Sequence, residues 1–308
     1  MKPLIIDTDP GHDDALAIML AVKSGLFEIK ALTTVAGNST IENTTRNARH
    51  ILQILGREDI PVYSGAEKPL ERELKRAVVH GESGLAGINP TNEPNLTNNA
   101  PEKIIEIINN SKEKITLVAL GPLTNVAKAI QINPNTMKKL EQIVIMGGAI
   151  RVPGNKSKVA EFNIFVDPEA ADIVFKFPIK KTLVPLDACN HVQMQLEDFE
   201  KITNPALRKP ILSMMKEFIE GIYKDEGIRA ALVYDALTIY YLINPKACKT
   251  ENLNIKIETK SETEYGRTIA DLKSKQNKQE KVCVVANIDK DSFIKDFITT
   301  LNGENKSQ

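Results

Sequence analysis

The sequence predicts an α/β fold, a doubly wound, mostly parallel sheet with helices on both faces, folded as a single domain over 1–308. Three observations carry that expectation. Short apolar runs of strand length alternate with longer stretches of helical period along most of the chain. Hydrophobic residues make up 42% of the sequence, enough to fill a core on both sides of one extended sheet. Residues with chemical capacity follow the apolar runs and do not precede them, and the carboxyl ends of parallel strands are where such a sheet opens its ligand crevice.

The first strand is predicted at 4–6 and is followed by Asp7 and Asp9; a helix over 13–24 ends near Gly25. A second strand at 29–35 leads to Gly37-Asn38, a helix over 41–55 and a short third strand at 62–63. Beyond a long polar stretch come a helix at 101–109, a fourth strand at 115–120 ending at Gly121-Pro122, a helix at 123–131 and a fifth strand at 143–146 before Gly147-Gly148. A helix at 167–175 precedes a sixth strand at 182–185 and Asp187, and helices then dominate to about 241. Strands at 254–257 and 282–286 flank a charge-dense segment, 258–281, that reads as a solvated hairpin; a last helix covers 291–301, with a disordered tail at 303–308.

The polar stretch at 64–99 is too long for an idle connection in a compact domain, and segments of that kind often act as active-site lids. It contains His80-Gly81-Glu82-Ser83-Gly84, with glycines for mobility and polar side chains able to reach a ligand. A lone histidine there reads equally as a solvated loop residue.

Composition narrows the function. Forty basic residues balance forty acidic ones, so neither a nucleic acid nor a membrane surface is an expected partner. Tryptophan is absent. Cys189, Cys248 and Cys283 are an odd, widely spaced set, which argues against a disulfide framework or a zinc site and for a reducing compartment. Cys189 has no base partner at suitable spacing and is not a nucleophile candidate. The first residues run directly into an acidic cluster and do not read as a signal peptide, and no apolar run reaches membrane-spanning length. A cytoplasmic protein is the expectation.

That acidic cluster, Asp7-Thr8-Asp9-Pro10-Gly11-His12-Asp13-Asp14, places four carboxylates in eight residues. Their repulsion needs a compensator. A helix N-terminus contributes only about 0.3–1 kcal/mol per charge, enough for one or two of them. A hard divalent cation with oxygen ligands does better, and the Pro10-Gly11 turn can bring Asp14 back toward Asp9. The run Ile5-Ile6-Asp7-Thr8-Asp9 also resembles the opening of haloacid-dehalogenase-type phosphatases, in which Asp7 would be the nucleophile, but Gly11 stands where those enzymes usually carry Thr or Val, and their later lysine and acidic pair are not evident.

The cluster resembles more closely the N-terminal signature of the inosine-uridine-preferring nucleoside hydrolases, and the likeness continues in order through Val35-Ala36-Gly37-Asn38, His80-Gly81-Glu82-Ser83-Gly84-Leu85, Leu120-Gly121-Pro122-Leu123-Thr124-Asn125, Met146-Gly147-Gly148, Gly154-Asn155, Ala160-Glu161-Phe162-Asn163 and Asp167-Pro168-Glu169-Ala170. It spans roughly 3–245. The resemblance implies calcium-dependent hydrolysis of the N-glycosidic bond of purine or pyrimidine ribonucleosides, by a homo-oligomer, dimer or tetramer. It implies that Asp9, Asp14, the Leu120 carbonyl and Asp235 bind calcium; that Asp9 is also the general base; that Asp13 and Asn38 hold the attacking water and the ribose hydroxyls; that Asn155, Glu161 and Asn163 grip the sugar; and that Asp7 supports the site from behind. On spacing alone, Asn155, Glu161 and Asn163 read as a polar loop. The chemistry suits the set: carboxylates favour an oxocarbenium-like sugar, and a ribose offers hydroxyls where a phosphate would call for Lys or Arg.

One position departs from the family pattern. Where many members carry His before the last calcium-binding Asp, this chain has Tyr234-Asp235. With a reference pKa of about 10, tyrosine is a poorer proton source than histidine. Tyr234, His80 or Tyr223 is left to assist the leaving base, and a catalytically weak calcium-dependent ribonucleoside-binding protein stands as the rival reading.

Overall fold

The computed structural model describes residues 1–271 and 281–304. In chain order the elements are β1 (Lys2–Thr8), α1 (His12–Lys23), β2 (Phe27–Thr34), α2 (Ile41–Leu55), β3 (Val62–Ser64), α3 (Ala100–Asn110), β4 (Thr116–Ala119), α4 (Thr124–Ile132), α5 (Pro134–Met137) and β5 (Gln142–Met146). There follow α6 (Phe162–Val166), α7 (Pro168–Lys176), β6 (Lys181–Val184), α8 (Leu186–Cys189), β7 (Gln193–Met194), α9 (Leu196–Glu200), α10 (Pro205–Glu226), β8 (Ala231–Leu232) and α11 (Tyr234–Ile243). The chain closes with β9 (Cys248–Ile257), β10 (Thr268–Asp271), β11 (Val282–Ile288) and α12 (Lys290–Asn302).

Nine strands form one sheet in the order β10-β9-β11-β6-β5-β4-β1-β2-β3. From β3 to β11 the pairings are parallel, and β9 and β10 add an antiparallel edge. The sheet is apolar on both faces because both are covered. Successive residues of β1 go to opposite sides: Leu4 and Ile6 pack with Val118 and Val144, while Ile5 packs with Leu117 and Ile143. Helix α1, buried from His12 to Ala21, packs chiefly on α11. That pairing sets the first turn of α1 beside the first turn of α11.

The predicted strands one to six and the long helices are all present. The antiparallel pairing of β7 with β8, across α9 and α10, was not anticipated; two-residue strands carry no readable period. Within the charged stretch, β10 pairs with β9, while 272–280 lies outside the described residues. Of the predicted tail, Gly303 closes α12 in the left-handed region at φ 78°, and 305–308 lies outside the described residues.

Candidate active site

Chain order runs β3-β2-β1 on one side and β4-β5-β6 on the other, so the connections diverge between β1 and β4 and leave a crevice at their carboxyl ends. The acidic cluster sits at that point. Asp14, in the first turn of α1, accepts hydrogen bonds from Thr8 Oγ1, from the amides of Asp9 (3.3 Å) and Gly11 (3.0 Å), and from Asn38 Nδ2 (3.1 Å). Asp9 Oδ2 accepts the Asn38 amide at 2.7 Å, and its Oδ1 is buried without a partner. Two glycines make room for that carboxylate: a methyl group on Gly37 would stand 2.2 Å from Asp9 Oδ2, and one on Gly121 2.5 Å from Oδ1.

Asp13, Asp14 and Asp235 each present a carboxylate oxygen, and these oxygens lie within 4.8 Å of one another. All three residues are buried. Burial, then the charge of Asp14, pushes Asp9 and Asp13 well above the ordinary carboxylate range; burial, then Asp13 and Asp14, does the same to Asp235. Among the described residues no Lys or Arg pairs with any of the four. The α1 and α11 N-termini offset only part of this repulsion, so oxygen donors, mutual proximity and an orphaned Asp9 Oδ1 together fit a hard divalent cation.

The carbonyl of Leu120, just past β4, accepts Asn163 Nδ2 at 2.6 Å. Glu161 caps α6: its carboxylate accepts the amides of Gly148 and Asn163 (both 2.9 Å) and Ile164 (3.2 Å). Asn155 Oδ1 accepts the Phe162 amide at 2.9 Å, which leaves its side-chain NH2 for a ligand. Asn38, Asn155, Glu161 and Asn163 therefore line one cleft with Asp13 and Asp235. Asp7 does not line it. It lies beneath, its Oδ1 accepting Thr33 Oγ1 (2.6 Å) and Asn125 Nδ2 (2.8 Å), with burial pushing it up to about 7. A nucleophile so enclosed has no access to a phosphate ester, which removes the phosphatase reading. Asp187 likewise braces a loop through the amides of Ile150 and Arg151.

Of the stretch at 64–99, Ala77, Val78, Val79 and His80 line the cleft. Its chain is tied down by Asn47 Nδ2 on Ser83 O (2.9 Å), Ser39 Oγ on Glu82 O (3.1 Å) and Ser213 Oγ on Gly87 O (2.6 Å). His80 is not solvated: it is 5% exposed, stacks on His12 and Phe218, and has its Nδ1 3.0 Å from His12 Nδ1. Burial, then His12, holds its ring well below the usual histidine range, so it is neutral. Tyr234 lines the cleft, but its hydroxyl donates to Asn190 Oδ1 at 2.9 Å, and burial pushes it well above the ordinary tyrosine value. Tyr223 is 40% exposed and stacks with Arg229 at 3.8 Å. None of the three offers a ready proton.

Sequence reasoning did not find the α10 wall, formed by Phe218, Ile222 and Glu226. Their i, i+4, i+8 spacing puts them on one helix face, a signal present in the sequence but identical to that of a core stripe.

Comparison with known proteins agrees with this geometry. The family model described as inosine-uridine preferring nucleoside hydrolase matches residues 4–295. The chain is 42% identical over 302 residues to the pyrimidine-specific ribonucleoside hydrolase RihA of Shewanella woodyi, covering 95% of this chain and 96% of the relative. It is 40% identical over the same length to RihA of Escherichia coli O1:K1 / APEC, with the same shares covered. Among solved structures, the plant nucleoside hydrolase PpNRh1 superposes with a TM-score of 0.90 at 32% identity, over 98% of this chain and 99% of that one. The purine-preferring ribonucleoside hydrolase of Gardnerella vaginalis does so with a TM-score of 0.90 at 26% identity, over 98% of both chains. The chain belongs to the inosine-uridine preferring nucleoside hydrolase family and is a hydrolase of N-glycosidic bonds.

Proposed function

We propose that this enzyme is a calcium-dependent hydrolase that prefers pyrimidine ribonucleosides. The observation that carries the metal half is the set of buried oxygens of Asp13, Asp14 and Asp235, within 4.8 Å of one another and beside the unpartnered Asp9 Oδ1. The pyrimidine half is supported by the names of the relatives at 40–42% identity, set against 26% for the purine-preferring enzyme.

Calcium, when bound, would supply Lewis acidity to a water and to the ribose hydroxyls. Asp14, Asp235, Asp9 and the Leu120 carbonyl are the residues that would hold it. Asp9, fixed through Oδ2 by the Asn38 amide, keeps Oδ1 free to take the proton of the attacking water. Asp13 and Asn38 position the water and the sugar hydroxyls. Asn155, with its NH2 free, binds a hydroxyl from the opposite wall. Glu161, held rigid by three amides, presents fixed negative charge to a sugar that becomes cationic as the bond breaks. Asn163 orients the Leu120 carbonyl. His80, Phe218 and Ile222 form the apolar seat of the base, beneath a lid at 64–99. The same reading carries a homo-oligomer, dimer or tetramer, located in the cytoplasm; among the described residues no helix is long and apolar enough to cross a membrane.

Ribose release from uridine, cytidine, inosine and adenosine, with calcium and with a chelator, tests the proposal. Calcium-dependent release, faster from uridine and cytidine, is expected. Undiminished release under chelation removes the metal half, and faster release from inosine removes the pyrimidine half. Tight nucleoside binding with no product favours the binding-protein rival.

A further inference from the structure

When an N-glycosidic bond breaks, its electron pair stays on the base, and a nucleobase anion leaves poorly unless a proton meets it. The Tyr234 proton is committed to Asn190, and His80 is neutral in its stack. A third acid lines the same cleft. Glu226 is the last residue of α10, on the face that also carries Phe218 and Ile222. It stands at the solvent-exposed rim, and its carboxyl has no hydrogen-bond or ion-pair partner among the described residues. Glu161, by contrast, spends its carboxylate on three backbone amides. Of the charges that act on the Tyr234 hydroxyl, that of Glu226 is the strongest, and both residues line this cleft.

Its setting favours the neutral acid. The C-terminal end of a 22-residue helix carries partial negative charge, which opposes a carboxylate there. Partial burial, then the adjacent Asp225, raises the carboxyl above its ordinary range. A bound base would exclude more water and strengthen the effect. The other titratable groups lining the cleft are Asp13 from α1, His80 from the lid, Lys156 and Glu161 from the segment after β5, and Tyr234 and Asp235 from α11. Lys156 is the only one of these that favours the carboxylate, and its Nζ is directed to the Arg76 carbonyl at 3.5 Å.

We propose that the Glu226 carboxyl is the general acid that protonates the departing nucleobase. The inference rests on the hydrolase reading of this cleft. As the C1′–N bond breaks, its electron pair goes to the base, and the Glu226 proton moves to a ring nitrogen or conjugated carbonyl oxygen of that base. The water oxygen bonds to C1′ and the water proton goes to Asp9. Proton exchange through solvent then restores Glu226 and Asp9. Nucleoside and water give neutral base and ribose.

The test compares the wild-type enzyme with Glu226→Gln and Glu226→Ala on uridine and on para-nitrophenyl riboside, whose phenolate leaves without a proton. Turnover of uridine is expected to fall about 100-fold in both variants while that of the nitrophenyl riboside falls less than about threefold, the split expected of a lost general acid. The alkaline limb of the uridine pH profile should vanish with it. The retained nitrophenyl activity shows that the variants fold. Equal losses on both substrates would make Glu226 a structural residue and overturn the proposal, as would undiminished uridine turnover. A wild-type enzyme inactive on both substrates would instead overturn the hydrolase reading.

Discussion

At the floor of the cleft, Asp14 alone accepts four hydrogen bonds, from Thr8, Asp9, Gly11 and Asn38. At the roof, Phe218, Ile222 and Val79 present apolar surface to the cleft, and His80 is held by stacking. The floor is built on strand ends and two helix N-termini, where the sheet fixes every atom. The roof is built on a segment without regular structure and on the last turns of one helix. The difference suggests a division of labour. A ribose is the same in every nucleoside, so the floor can be rigid and specific. The base varies, and an apolar roof with few polar groups can be changed without disturbing the chemistry below.

This division predicts that floor and roof substitutions fail differently. The largest effect is expected at Asp9. Asp9→Asn should lower turnover of uridine roughly 1,000-fold by removing the general base. Its thermal midpoint in the absence of calcium should not fall, because the change also removes one of several mutually repelling buried charges. A variant that keeps most of its turnover would remove Asp9 from that role.

A smaller effect is expected at the roof. Phe218→Ala should raise KM about tenfold with kcat much less affected, and should cost about 3 kcal/mol of stability, because it empties a buried ring site stacked on both His12 and His80. A fall in kcat with KM unchanged would erase the distinction between the two regions.

The smallest is a pH effect. His80 titrates well below the ordinary histidine value of 6.5 because it is buried and beside His12. Below that pH the unfolded chain takes up a proton that the folded ring refuses, so stability is lost as pH falls through about 6.5. His80→Asn should flatten the decline measured by urea unfolding between pH 7 and 5. An equally steep decline in the variant would assign it elsewhere.

The same contrast governs what the sequence made legible. The floor's carboxylates crowd eight residues at the end of an apolar run, and the need to neutralise them is visible before any folding. Asp235 is remote in sequence, and only the family resemblance pointed to it; the α1–α11 packing explains the meeting. The resemblance pointed to Asp9, Asp14 and Asp235 for the metal; the structure adds that Asp13 also brings a carboxylate oxygen within 4.8 Å of those of Asp14 and Asp235. Phe218, Ile222 and Glu226 were missed because a helix face lining a cleft and one lining a core share a period. The pairing of β11 with β6 was equally hidden, since parallel neighbours far apart in the chain leave no local pattern.

The most direct test of the central claim, that the carboxylates between β1 and β4 form the cation site the reaction needs, is a calorimetric calcium titration of the chelator-stripped enzyme beside its Asp14→Ala and Asp235→Ala variants. One site per chain is expected in the wild type, weakened on the order of 100-fold or more in each variant, with ribose release from uridine falling in step. Calcium uptake of unchanged affinity in both variants, or none in the wild-type enzyme, would contradict the account.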